Sequence, residues 1–367
     1  MNNDRSPIAA GNAWTRFWFT PTPITGMTAL RIASGLLFLV WLLSFVGHQN
    51  ELFSLNGWFD ESAYRQVRGQ ERDNERAIRE NKAPQPSLGP ALPLWSALFP
   101  VGKSETAFQV FYWGSVVVLV LFTLGIGTRI TSVLTWVIVV SLVTNPAISY
   151  EGDYLLGLLA FYLMIGHLLT GIWNGNGHLL GYIFGPCDQM AFARPKDPPR
   201  LSYSANFMMR LIQIHFTILI MISALHKLQV SDWWSGVALW YPLHPPFQVT
   251  ADSLRAEAAS AQVTLFWVSL ATYGVLAWQL AFPLFAWRQG TVWRTILLGG
   301  AAVGWIGSIF VYKLPLFGPV YCIAALSFLS AEEWAGIAKW MQGKIGGAAL
   351  KVRPASPTPA VATAGKK

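Results

Sequence analysis

The chain has 367 residues, of which 53% are hydrophobic, 14% aromatic and only 12% charged, about half the charge of a typical soluble domain. That composition excludes a sizeable soluble catalytic domain and leaves a polytopic membrane protein whose length is taken up by spans and their connections. The net charge of +8 is no nucleic-acid footprint, because the bases sit beside apolar stretches and the aromatics lie inside them, as membrane topology and anionic lipid require.

In chain order, residues 1–27 are polar and proline-broken and do not read as a signal peptide. The first apolar span is expected over 28–47. A long connection, 48–107, follows. Its middle, "YRQVRGQERDNERAIRENKAP", mixes both charges and reads as a solvated helix or a flexible arm. It ends in "LPLWSALFPVG", too short to cross and read as interfacial. Spans at 108–125 and 131–145 flank the turn "GIGTRIT". After "NPAISYEGDY" comes a fourth at 154–171, and "GHLLGYIFG" in the next connection reads as interfacial. A fifth span covers 207–228. The remaining three are expected over 263–287, 292–311 and 320–331, and the tail from 332 is low-complexity and expected to be partly disordered.

The pattern therefore predicts an all-α, polytopic transmembrane helical bundle of about eight spans. Its transmembrane domain covers 28–331. Eight crossings place both termini on one side, together with Arg5, Arg16, Arg129, Arg194, Lys196, Arg200, Arg288 and Arg294. The positive-inside rule makes that side cytoplasmic and the protein a multi-pass cell-membrane protein. Loop 48–107, Asp153 and the stretch "HKLQVSDWWSG" then face outward. No internal repeat, HExxH motif or phosphate-cradling glycine loop is present. Cys187 and Cys322 belong to no CxxC pair, and His167 and His178 have no evident co-ligands, so no metal site is expected.

Chemistry concentrates in "MRLIQIHFTILIMISALHKLQVSDWWSG". At about 100° per residue, Arg210, Gln213, Thr217, Ala224 and Lys227 share one side of a helix, with His215 and His226 on the other. Such a polar seam faces neighbouring helices or a cavity. Lys227 has two readings. It is an interface anchor, with Trp233 and Trp234 in an aromatic belt, or it is a general base. The positive charge of His226 beside it and partial desolvation both favour a neutral amine. Asp153, at the outer end of the fourth span, is expected at the depth of Lys227, as an acid–base partner or a structural ion pair.

This segment resembles the lysine-bearing span of the HTTM family, which includes the membrane portion of vitamin K-dependent gamma-carboxylase and many bacterial relatives. The residues that carry the resemblance are Arg210, Leu211, Gln213, Lys227, Leu228, Trp233 or Trp234, and Gly236. "TALRIASGLLFLVWLL" with Arg31 and Gly35, "NPAISYEGDYLLGLLAFYLM", and "LAFPLFAWRQGTVWRTILLGGAAVGWIGSIFVYKLPLFG" extend it over about residues 14–330. Gln279 and Gly304 or Trp305 stand where relatives often carry a glutamate and a histidine. The resemblance implies a bacterial-type member lacking the carboxylase's large luminal region. It further implies that Lys227 is the base that deprotonates a reduced quinone, aided by Asp153 and His226, with Trp233, Trp234 and Gly236 near the ligand in an outward-facing cavity. It also supplies an alternative from another class: a non-catalytic membrane partner in the maturation or export of a secreted peptide. The expected partners are thus the lipid bilayer, a quinone or other apolar ligand, and on the alternative a secreted peptide, but not nucleic acid.

Overall fold

The computed structural model describes residues 12–54, 57–58, 72–83, 96–102, 104–143, 145, 151–170, 201–245, 249–337 and 339–340. The sequence expectations for 64–71, 84–95, 146–150, 171–200 (with His178 and Cys187) and 341–367 lie outside these. Two compact units divide at Leu329 and Ser330.

The first unit is helical apart from one short strand pair, β1 (Thr22–Pro23) with β2 (Leu201–Ser202), antiparallel. Its helices in order are α1 (Ala13–Phe19), α2 (Thr25–Leu43), α3 (Gln49–Phe53), α4 (72–79), α5 (Leu98–Val101), α6 (Glu105–Leu124) and α7 (Thr128–Val143). They continue with α8 (Glu151–Leu169), α9 (Tyr203–Leu228), α10 (Ser231–Trp234), α11 (Ala251–Ser260), α12 (Gln262–Phe285), α13 (Thr291–Tyr312) and α14 (Phe317–Leu326). In the second unit Ser330 caps the helix Ala331–Ile337 through reciprocal bonds with Glu333, a capping-box arrangement.

Among the described residues six helices, α2, α6, α8, α9, α12 and α13, are long and apolar enough to cross a membrane, and the count is seven if α14 and Ala331–Ile337 act as one broken span. This is the all-α, membrane-type architecture expected. Two of the expected spans are short helices. Helix α7 has 16 residues, about 24 Å at 1.5 Å per residue. Helix α14 stops after 10 residues at Ser327, whose hydroxyl turns back to the Ala324 carbonyl at 2.6 Å, a local bond that competes with helix continuation.

Successive long helices run antiparallel, and their ends are pinned by side chains. Between α8 and α9 the hydroxyls of Thr170 and Ser204 meet at 2.8 Å, Tyr162 Oη meets His215 Nδ1 at 2.6 Å, and Gly166 lies under Met208. Between α2 and α6, Gly35 packs on Thr123 so closely that a Cβ would meet its hydroxyl at 2.3 Å. At the other end of the same pair, Tyr112 Oη donates to the Leu42 carbonyl at 2.6 Å. Phe38, Phe53, Phe108, Phe122, Phe216 and Phe282 fill the core. Helices α2 and α8 are mostly enclosed, whereas α12 and α13 point most of their residues outward, as lipid-facing helices do.

The charged arm forms a helix over 72–79, laced by Arg79–Glu75 (3.6 Å) and Arg76–Asp73 (3.9 Å). These are exposed pairs at helical spacing, worth little each. Of the stretch read as interfacial, "LPLWSALFPVG", the described part, 96–102, packs on the bundle. Leu98 is fully buried, and Ser96 Oγ donates to the Ser141 carbonyl at 2.9 Å.

Candidate functional site

One end of the bundle is an arginine rim. Helices end there with unsatisfied carbonyls and a partial negative charge, and buried arginines answer both. Arg31 donates through Nη1 to the carbonyls of Phe122 and Thr123, both at 2.6 Å, closing α6. Arg129 donates to Thr170 at 2.6 Å past the end of α8, and Arg294 to Ala286 at 3.1 Å past the end of α12. Arg210 lies at this end too, over the ring of Trp287.

The opposite end holds Lys227, in the last turn of α9. Its Nζ donates to Ser223 Oγ at 2.6 Å and lies 5.1 Å from the Trp233 ring centroid. Ser223 is four residues earlier, so the nitrogen is held about one turn, roughly 6 Å, deeper than the Lys227 backbone. Trp233, on α10, stands over it. The amine is half-buried, and His226 beside it is exposed.

Trp234 and Gly236 serve a different contact. Trp234 is mostly exposed, and its Nε1 donates to the Leu228 carbonyl at 2.6 Å. Tyr273 of α12 donates to the Trp234 carbonyl at 2.7 Å. Gly236 has φ +78 and is pressed against α12, where a Cβ would come within 3.0 Å of Tyr273 and 3.1 Å of Ser269. This glycine lets the loop lie on the helix.

Asp153 is buried near the start of α8. Continuing the register set by Thr170–Ser204 and Tyr162–His215 brings it level with about Ile222 to Ala224, the depth at which the Lys227 nitrogen sits.

Three groups carry no signal that pattern reading could use. Ser223 is an ordinary small residue until Lys227 folds back on it. The Tyr162–His215 bond joins residues on separate helices. Glu257 of α11 accepts through Oε2 from Trp240 Nε1 of the loop after α10 at 2.8 Å and lies 3.2 Å from His244 Nε2, while His244 Nδ1 lies 2.9 Å from the Trp240 carbonyl. No cluster of three or more metal-ligating side chains exists among the described residues.

Comparison of the chain with family models, curated proteins and solved structures returned no match. Functional assignment therefore rests on the site itself and on the residue pattern around Lys227.

Proposed function

We propose that this integral membrane protein belongs to the HTTM class and binds an apolar ligand of the reduced-quinone type at the end of the bundle opposite the arginine rim. Lys227 is the base that takes the ligand's proton. The observation that carries this reading is the direction of the Lys227 side chain. A lysine that merely anchors a span extends its ammonium outward to the headgroups. Helical side chains lean toward the helix N-terminus, which at the C-terminal end of a span means inward. Lys227 follows that lean, Ser223 holds it there, and Trp233 roofs it. A general base must hold its nitrogen within reach of the ligand's proton, and an inward amine does so. The Trp233 ring supplies an apolar wall for a flat ligand. Asp153, at the same depth on α8, is the candidate acidic partner of Lys227, and His226 lies beside Lys227 on α9.

The test is extraction of bound small molecules from wild-type protein and from Lys227→Ala, prepared identically from the same membranes, with mass spectrometry of quinones and lipids. The expected result is a quinone enriched with wild type and lost with the variant. Identical extracts would remove the support for a ligand at Lys227.

A second reading is favoured by one contact. A lysine over an indole ring gains most as the ammonium. A fixed cation at this end suits a non-catalytic membrane partner that receives a secreted peptide, and capture of an acidic peptide with no quinone in the extracts is its signature.

A further inference from the structure

Arg210 is built differently from the other arginines of its rim. Arg31, Arg129 and Arg294 donate to carbonyls at helix ends. Arg210 makes one hydrogen bond, from Nη1 to Gln213 Oε1 at 2.9 Å. Its guanidinium lies 4.6 Å from the Phe17 ring centroid and 5.8 Å from that of Trp287. Its Nε is buried without an acceptor, and its Nη2 donates to none of the described residues. An arginine has five N–H donors, and most of these meet no acceptor among the described residues.

The surroundings fix this arrangement. Gln213 cannot turn away, because its Nε2 donates to the Ser327 carbonyl at 2.6 Å, which leaves its oxygen toward Arg210. Helix α1 is tied down by Asn206, whose Nδ2 donates to the carbonyls of Phe17 and Trp18, both at 2.9 Å. Trp18 packs on Phe17 and on Phe207, one turn before Arg210, and its indole Nε1 is a second buried donor without an acceptor. Two donors left over within one aromatic cluster are costly unless something accepts from them.

We propose that this cluster binds a phosphate oxyanion. The free edge of a guanidinium presents parallel N–H groups that match phosphate oxygens two at a time. The phosphate comes from a phospholipid headgroup or from inorganic phosphate. The amphipathic α1, with Trp14 and Phe19 exposed beside Arg16, suits headgroup depth and makes the lipid the expected source.

The experiment uses the full chain in a neutral detergent. Phosphatidylglycerol, diacylglycerol with the same acyl chains and inorganic phosphate are added separately. Native mass spectrometry counts retained lipid, and thermal unfolding reports stabilisation. Phosphatidylglycerol is expected to be retained and to raise the melting temperature by several degrees, and diacylglycerol to do neither. Equal stabilisation by inorganic phosphate supports the site with the free anion as ligand; stabilisation by phosphatidylglycerol alone supports it with the lipid. Arg210→Lys keeps the charge but loses the fork and should weaken binding about tenfold or more, while Arg16→Gln should leave it intact. Should Arg210→Lys fold poorly, Trp18→Phe tests the second donor, with weaker retention expected. Wild-type binding in whichever of these two variants folds, or diacylglycerol acting as well as phosphatidylglycerol, overturns the proposal.

Discussion

Arg31 and Gly125 occupy complementary space where α6 ends: a Cβ on residue 125 would lie 2.8 Å from the Arg31 guanidinium. Gly125 is the C-cap, at φ +85, and its N–H bonds to the Leu121 and Phe122 carbonyls. Arg31 takes the Phe122 and Thr123 carbonyls. The cap glycine and the arginine thus share the Phe122 carbonyl, and between them also satisfy those of Leu121 and Thr123.

Gly125→Ala should be more damaging than its neighbour Gly127→Ala. Both sit at positive φ, so both pay backbone strain of about 1–2 kcal/mol. Only at 125 does the new methyl also displace a buried guanidinium from its carbonyls, adding about 1–3 kcal/mol; nothing lies within 4 Å at 127. Thermal unfolding in detergent compares the two, and equal losses would mean that the Arg31 contact contributes nothing.

The loop after Lys227 depends on its contact with α12. Gly236→Ala forces a Cβ against Tyr273 and Ser269 at a positive φ, and Tyr273→Phe deletes the bond to the Trp234 carbonyl, worth about 1 kcal/mol. Both variants should fold, with faster proteolysis confined to residues 229–250. Because Trp233 belongs to this loop, Gly236→Ala should also weaken whatever Lys227 binds. Unchanged cleavage in both variants would show that the loop is held by other contacts.

The charge distribution predicts orientation. Arg31, Arg129, Arg210 and Arg294 gather at one end, and Lys227, Glu105 and Glu257 belong to the other. The positive-inside rule predicts that the arginine end is the cytoplasmic one. With both native cysteines replaced by serine, a single cysteine introduced at position 82 should react with an impermeant reagent added to whole cells, and one at position 16 only after lysis. The reverse pattern would turn the molecule over and place the Lys227 end in the cytoplasm.

The helices that cross were legible because long uncharged runs have no other stable use, and the two sides of α9 were legible from its 100° period. Gln213 bonds across to Ser327 and His215 to Tyr162, on opposite sides as the wheel separates them. The weak points were short elements. Helices α7 and α14 have span-like composition, but hydropathy does not encode where they end, and α14 stops at a side-chain bond of Ser327. The same holds for the site. Lys227 stands out in sequence, whereas Ser223 gains meaning only from a rotamer.

Lys227→Arg separates a base from an anchor. An anchor needs a cation on a long stem, and arginine supplies one that stacks on Trp233 at least as well. A base must release a proton near neutral pH, and arginine stays protonated throughout that range. Lys227→Arg should therefore insert and fold like wild type yet fail to deprotonate a bound reduced quinone, while His226→Gln should have a milder effect. Ser223→Ala adds the geometric arm. It leaves the amine in place but removes the hydroxyl that draws it inward, so deprotonation should fall without being abolished. The proton passes from the quinol hydroxyl to the Lys227 nitrogen, and the measurement is the ultraviolet difference spectrum of the resulting quinol anion when a reduced quinone found in the wild-type extract is added to purified protein without oxygen. A wild-type anion signal in Lys227→Arg would end the base reading and leave Lys227 as a fixed cation beneath an indole, which is what a non-catalytic membrane partner requires.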